Sequence, residues 1–252
     1  MTNPFDLTGK VAIVTGCDTG LGRGMALALA EAGCAISGVN VVAPTETAER
    51  LQSEGRRFLD IRADLATIEP IPEIIQHTIA EYGRIDILVN NAGIIRRADA
   101  LDFSERDWDD VIAVNLKTVF FLSQAVARQF VAQASGGRIV NVASMLSFQG
   151  GIRVPAYTAS KSGVAGLTKL MANEWARHGI TVNAIAPGWM ATNNTAPLRA
   201  DPIRSKEILD RIPAGRWGSP EDAGGPVVFL CSPAATYVTG HILAVDGGWL
   251  AR

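Results

Sequence analysis

The chain is expected to fold as an α/β protein, a Rossmann-like doubly wound parallel sheet with helices on both faces, in one domain over residues 1–252. Three observations predict this. Short apolar runs alternate with longer segments of helical period along the whole chain. The short runs are continuously apolar rather than alternating, as strands covered on both faces are. The first run leads through a glycine-rich turn straight into a helical pattern, the opening of a ligand-binding βα unit.

The elements follow in order. Val11 to Val14 is the first strand. Leu21, Met25, Ala28, Leu29 and Ala32 recur at helical spacing, and Gly33 ends that helix. Strands are expected at Ala35 to Val39 and Phe58 to Ile61, separated by a polar helix through Glu46 and Leu51. Ile71, Ile74, Ile75 and Ile79 mark a helix face that Gly83 closes, and Ile85 to Val89 is strand four. A long helix is expected over Trp108 to Ala134, strand five over Arg138 to Val142, another long helix over Tyr157 to His178, and strand six over Thr181 to Ile185. Ser219-Pro220-Glu221-Asp222 reads as a helix start, with a Ser cap, a first-turn Pro and acids at the positive end of the dipole. Ile242 to Val245 is the last strand. The stretch from Gly188 to about Pro202 reads as irregular, and a substrate lid is expected around 188–212.

Composition narrows the function classes. Hydrophobic residues make up 48% and charged residues 19%, with a net charge of −2. Without a basic excess a nucleic-acid partner is not expected. Three cysteines without CxxC spacing point away from a zinc site or a disulfide framework and towards a reducing cytoplasm. No apolar run was found to reach the roughly 20 residues of a membrane span, and the N-terminus lacks a signal-peptide pattern. No metal site is expected.

The turn Thr15-Gly16-Cys17-Asp18-Thr19-Gly20-Leu21-Gly22 carries GxxxGxG spacing. Glycines there permit a tight turn and let a pyrophosphate approach a helix N-terminus. The ribose would lie at the end of strand two, where Asn40 stands between valines with no arginine nearby in the sequence. Asp18 would repel a 2′-phosphate. These residues favour NAD over NADP. Tyr157 and Lys161, four apart, share a helix face, and Ser144 follows strand five. The carboxyl ends of strands border the crevice of such a sheet, so the three side chains can converge.

The segments TGCDTGLG, Asn90 to Gly93, Asn115, Ser144, YTASK at 157–161 and PGWMAT at 187–192 resemble, over essentially the whole chain, the short-chain dehydrogenase/reductase family. The resemblance implies a nicotinamide cofactor and an Asn115-Ser144-Tyr157-Lys161 tetrad. It further implies Asp64 and Leu65 at the adenine edge, Asn91, Ala92 and Gly93 under the adenine ribose, and Pro187, Gly188, Met190 and Thr192 around the nicotinamide. Asn115 would support a proton-relaying water, and the long helices would build a homotetramer. The chemistry suits the residue types. A free Tyr has a pKa near 10, too high for an efficient base at neutral pH, and a nearby Lys161 ammonium should lower it. Lys161 would also bond the nicotinamide ribose. Ser144 would hold the substrate oxygen.

For the substrate, Arg97 and Arg153 can fork onto a carboxylate, while Gln149 and Trp189 offer a polar group and a flat apolar face. The stretches at 43–47, 90–117 and 147–169 resemble members that act on keto or deoxy sugar acids. Relatives acting on gluconate or on acyl chains of a carrier protein are the alternatives. A catalytically silent dinucleotide-binding regulator is the non-enzyme alternative, which the intact tetrad opposes.

Overall fold

A parallel sheet carries the site. The strands are β1 (Val11–Thr15), β2 (Ala35–Asn40), β3 (Phe58–Arg62), β4 (Ile87–Asn90), β5 (Gly137–Val142), β6 (Ile180–Pro187) and β7 (Ile242–Val245). Their order is β3-β2-β1-β4-β5-β6-β7, and every pairing is parallel. The structure is a computed structural model that describes residues 3–252, so the first two residues of the N-terminal stretch lie outside it.

The helices are α1 (Gly20–Glu31), α2 (Thr45–Ser53), α3 (Ile71–Tyr82), α4 (Glu105–Ile112), α5 (Thr118–Gln133), α6 (Pro155–Trp175), α7 (Ala196–Ala200), α8 (Pro202–Arg211) and α9 (Gly224–Cys231). They divide between the two faces of the sheet. Ala12 and Val14 of β1 pack with Met25 and Leu29 of α1 and Leu230 of α9. Ile13, between them, packs with Ile74 of α3, Phe130 of α5 and Met171 of α6. Successive residues of a strand point to opposite faces, so two apolar layers require an unbroken apolar strand. Burying each such side chain stabilises the fold by about 1.5–3 kcal/mol.

The order in which strands are added reverses about β1: β2 and β3 lie on one side, β4 onward on the other. At such a switch point the loops after adjacent strands diverge and leave a crevice beyond the carboxyl ends. The turns after β1, β4 and β5 meet there.

Three expectations are corrected. The stretch after Gly188 is largely helical. A short turn at Asn193–Thr195 is closed by reciprocal Thr192 and Thr195 bonds. The Asp201 carboxylate then accepts from the amides of Ile203 and Arg204, both at 3.0 Å, with Pro202 in the first turn of α8. The stretch expected to form a lid is thus built from capped turns and helices. The long helix expected over 108–134 begins at Glu105 and is interrupted by a wide π turn at Ala113–Lys117. This run, 105–133, is also long and apolar enough to cross a bilayer, contrary to the reading of the sequence. Its Leu122, Val126 and Phe130 are buried against the sheet.

Candidate active site

Site geometry begins at the glycine turn. Gly16 (φ +64°) and Gly20 (φ +55°) both occupy the left-handed region. A Cβ on Gly22 would lie 2.0 Å from the Gly16 carbonyl oxygen and 2.4 Å from Asn91 Nδ2. Helix α1 can therefore start directly against the turn only because residue 22 has no side chain. No side chain caps this helix and no acid stands in its first turn. Its first N–H donors and its positive dipole end are left for an anion. Gly22→Ala should destabilise the fold by about 1–3 kcal/mol through overpacking and abolish dinucleotide binding. Urea unfolding together with quenching of reduced-nicotinamide fluorescence checks both.

The turn is fixed from three sides. Thr15 Oγ1 accepts from the amides of Asn91 (3.0 Å) and Ala92 (2.9 Å), joining the loops after β1 and β4. Asn91 Nδ2 returns bonds to the Thr15 and Gly16 carbonyls. Thr47 of α2 donates to the Cys17 carbonyl at 2.7 Å. Asn40, read from sequence as a ribose contact, accepts from the Cys17 amide at 2.8 Å and is buried. Its side chain is committed to shaping the turn.

Gly16, Asp18, Thr19, Gly20, Leu21, Gly22, Asn40, Asp64, Leu65, Asn91, Ala92, Gly93, Tyr157, Lys161 and Thr192 line one cleft of about 380 Å³. Val41, Val42, Ile94, Val142, Asn193 and Asn194 line it too, and the sequence reading gave none of these a cofactor role. The expectation that no arginine stands near the end of strand two is overturned. Arg62 donates to the Val41 carbonyl at 2.6 Å. The parallel register sets Asn40 beside Arg62, although the two are distant in sequence. Asp64 accepts from the Ala66 amide at 2.9 Å, a local turn contact.

Pro187, Gly188 and Met190 do not line this cleft. Pro187 is the last residue of β6, and Gly188 packs so tightly on Asp246 that a Cβ would lie 2.7 Å from its Cα. Met190 and Trp189 line a separate cavity with Arg216, Asp222 and Asp246.

The tetrad is gathered at the cleft's inner end. Ser144 stands two residues beyond β5, caps the short turn that follows and accepts from the Leu146 amide at 3.1 Å. Its hydroxyl stands beside the Tyr157 phenol and favours the ionised form. Lys161 is 4% exposed, and its Nζ donates to the Val142 carbonyl at 2.6 Å. It lies 5.6 Å from the centroid of the Tyr157 ring. Asn115 sits in the π turn, fully buried. Its Oδ1 accepts from the Ile94 amide, and its Nδ2 donates to the Ile94 carbonyl and, at 3.3 Å, to Ser160 Oγ. Ser160 in turn donates to the Tyr157 carbonyl. Asn115 thus ties the loop after β4 to the helix that carries the tyrosine.

Electrostatics depart from expectation in one respect. The phenol is not lowered by the chain's own groups. Burial raises the Tyr157 pKa, and the Ser144 bond and the Arg97 charge pull only partly against it. Lys161 points to a backbone carbonyl instead of the hydroxyl, and burial brings its pKa down to about 8. Desolvation therefore dominates both groups.

Among the substrate residues read from sequence, only Ser144 and Arg97 stand by the tyrosine. Arg153, at φ +64°, pairs with Asp99 at 3.1 Å, with both side chains more than half exposed. Gln149 accepts from Trp249 Nε1 at 3.3 Å. Trp189 stacks edge-on with Trp217 and Trp249, so Gln149 and Trp189 are engaged in packing around Trp249.

The family model described as enoyl-(acyl carrier protein) reductase matches residues 16–250. The chain is 68% identical, over 98% of its own length and 98% of the relative's, to 2-dehydro-3-deoxy-D-gluconate 5-dehydrogenase of Escherichia coli K12. An Agrobacterium tumefaciens structure, provisionally named a 2-deoxy-D-gluconate 3-dehydrogenase and holding NADP, superposes with a TM-score of 0.92 at 55% identity, covering 100% of both chains. A Beutenbergia cavernae structure, provisionally named an NAD(P)-dependent gluconate 5-dehydrogenase with NADP at low occupancy, gives 0.95 at 48% identity, covering 99% of this chain and 100% of that one.

Proposed function

Because the chain belongs to the short-chain dehydrogenase/reductase family, we propose that it transfers hydride between a nicotinamide dinucleotide and a secondary alcohol or ketone of a deoxy sugar acid, as a 2-dehydro-3-deoxy-D-gluconate 5-dehydrogenase does. The observation that carries this is the meeting of Tyr157 and Lys161 with the glycine turn in one cleft, with Ser144 beside the phenol. The 68% identity to a relative of that name supports the substrate class.

The uncapped start of α1 and the left-handed glycines fit a pyrophosphate, and the cleft between Asp64 and Tyr157 fits an extended dinucleotide. A bound nicotinamide ring supplies or accepts the hydride. Ser144 holds the substrate oxygen. Tyr157 delivers the proton in reduction and removes it in oxidation. Lys161 supplies positive charge beside the phenol. Asn115 fixes the backbone that carries Tyr157. The nonpolar walls Ile94, Val114 and Val142 keep bulk water from these groups.

We read both NAD and NADP as ligands. Asp18 favours NAD by repelling a 2′-phosphate; Arg62 beside Val41, and the NADP held by the relatives, favour NADP. The chain is further read as one domain with a lid over 188–212, acting as a homotetramer through exposed Trp108, Phe121 and Leu170 on α4, α5 and α6. The free buried thiols of Cys17, Cys34 and Cys231 suit a cytoplasmic setting.

A panel of keto and deoxy sugar acids, assayed with each cofactor by nicotinamide absorbance, tests the reading. Turnover of 2-dehydro-3-deoxy-D-gluconate is the expected result. Binding of both cofactors with no turnover of any member would instead make the chain a silent regulator. Light scattering reads the assembly.

A further inference from the structure

Ser144 caps a single short turn, Met145–Ser147, and what holds that turn sets where its hydroxyl lies. Within the turn the Ser144 hydroxyl accepts from the Leu146 amide, and the Ser144 carbonyl accepts from the Ser147 amide at 2.9 Å. These bonds shape the turn but do not place it against α6. Two contacts to one residue of α6 do. The Lys161 amine donates to the carbonyl of Val142, the last residue of β5. The Ser147 hydroxyl donates to the Lys161 carbonyl at 2.7 Å, near the optimum for such a bond. Residues 142 and 147 are thus both fastened to Lys161, and Ser144 lies between them. Ser162 adds only a 3.4 Å contact to the Leu146 carbonyl. Met145 is buried among Ile208, Ile212 and Trp249, a packing that holds the turn without fixing its direction.

We propose that Ser147 is a positioning residue of the reaction: its bond to the Lys161 carbonyl fixes the turn against α6 so that Ser144 meets the Tyr157 phenol. This rests on the oxidoreductase reading above. Tyr157 lies one helical turn before Lys161 on the same face of α6, so a bond made at residue 161 sets the height of the turn relative to the phenol. With that bond removed, the segment stays fastened to α6 by a short hydrogen bond only at Val142, and Ser144, two residues on, gains freedom to move off the phenol. A misplacement of about 1 Å at a reacting centre can cost about 10²-fold in rate. Three groups act on the phenol: Ser144 from this turn, Arg97 from the loop after β4 and Lys161 from its own helix. Removing the Ser147 hydroxyl disturbs only the first, because the Lys161 amine keeps its bond to Val142.

Steady-state oxidation of 2-dehydro-3-deoxy-D-gluconate by the full chain and by Ser147→Ala, Ser147→Cys and Ser147→Thr tests this, with urea unfolding to check that each variant is folded. Ser147→Ala should lower kcat by on the order of 10- to 100-fold and leave cofactor affinity unchanged. The alkaline rise of the oxidation rate should also move to higher pH, because Ser144 favours the ionised phenol and favours it less from a distance. A purely structural contact would not move that profile. Ser147→Thr keeps the hydroxyl, and the partly exposed position has room for its methyl group, so it should restore both the rate and the profile. Ser147→Cys, whose thiol is a weak donor, should fall between. An unchanged kcat in Ser147→Ala, a loss of kcat with the pH profile in place, or an equal loss in Ser147→Thr would overturn the assignment. If the unmutated chain turns over no sugar acid with either cofactor, the functional reading falls separately. Crystal structures of the unmutated chain and of Ser147→Ala then decide the serine: a Ser144 displaced from the phenol upholds the positioning role, and a Ser144 in the same place discards it.

Discussion

Tyr157→Phe should lower kcat by about 10²- to 10⁴-fold in both directions, the range that a positioned acid/base contributes, while cofactor affinity stays near that of the unmutated chain. The ring and its packing survive this change; only the hydroxyl beside Ser144 is removed. Stopped-flow turnover and fluorescence titration of the reduced cofactor separate the two effects. Full activity in the variant would remove Tyr157 from the proton's path. The pH profile adds a second check. Burial raises the phenol's pKa, so the base form needed for oxidation is scarce at neutral pH and grows as pH rises. Oxidation should therefore speed up from pH 7 to 9, and reduction, which needs the protonated phenol, should not. In Tyr157→Phe this rise should disappear.

Lys161→Met should lower kcat/KM by about 10²-fold or more, as loss of a preorganised charge at a reacting group does, without a matching loss of stability. The ammonium is buried, and its pKa falls from an ordinary 10.5 to about 8 in the folded chain. Below pH 8 it is charged in both folded and unfolded states, and the folded chain carries the full desolvation penalty. Between pH 8 and 10.5 the unfolded state binds more protons than the folded one, so the unmutated chain gains stability as pH rises. That gain amounts to roughly 3 kcal/mol at about 1.4 kcal/mol per tenfold change in proton affinity. Methionine has no proton to lose and should show no such gain. Its own penalty is the Val142 carbonyl left without the 2.6 Å bond, about 1–3 kcal/mol. Urea unfolding of both proteins at pH 7 and pH 10 makes the comparison. Parallel changes with pH in the two would mean that the ammonium is not desolvated.

These two residues also mark how far the sequence could be read. The four-residue spacing of Tyr157 and Lys161 placed them on one helix face, and Ser144 at the end of a strand placed it at the crevice. Both follow from local periodicity. The direction of the Lys161 amine does not. It depends on a carbonyl of β5, brought alongside α6 only when the helix packs on the sheet. Burial then reverses the shift of Tyr157 that a tyrosine beside a lysine suggests when both are imagined in water.

The same division holds at the other end of the cleft. GxxxGxG announced a turn against a helix start because glycine's missing Cβ is a property of the residue itself. The bond from the Cys17 amide to Asn40 is not legible in the sequence because it crosses a strand pairing. Arg62 and Thr47 were invisible for that reason as well: register with β2 and the docking of α2 bring them to the turn. The lid was read as irregular because its caps are short and each helix too brief to show a period.

What the sequence alone determined is the fold class, the strand sequence along the chain, the glycine turn and the placing of Tyr157 and Lys161 on one helix face. Each of these is encoded by neighbouring residues, in apolar continuity, spacing or the absence of a side chain. What the tertiary structure decided is where the Lys161 amine points and which residues line the far end of the cleft. Those depend on contacts between segments far apart in the chain, and the energy of a charge is set by what surrounds it in space.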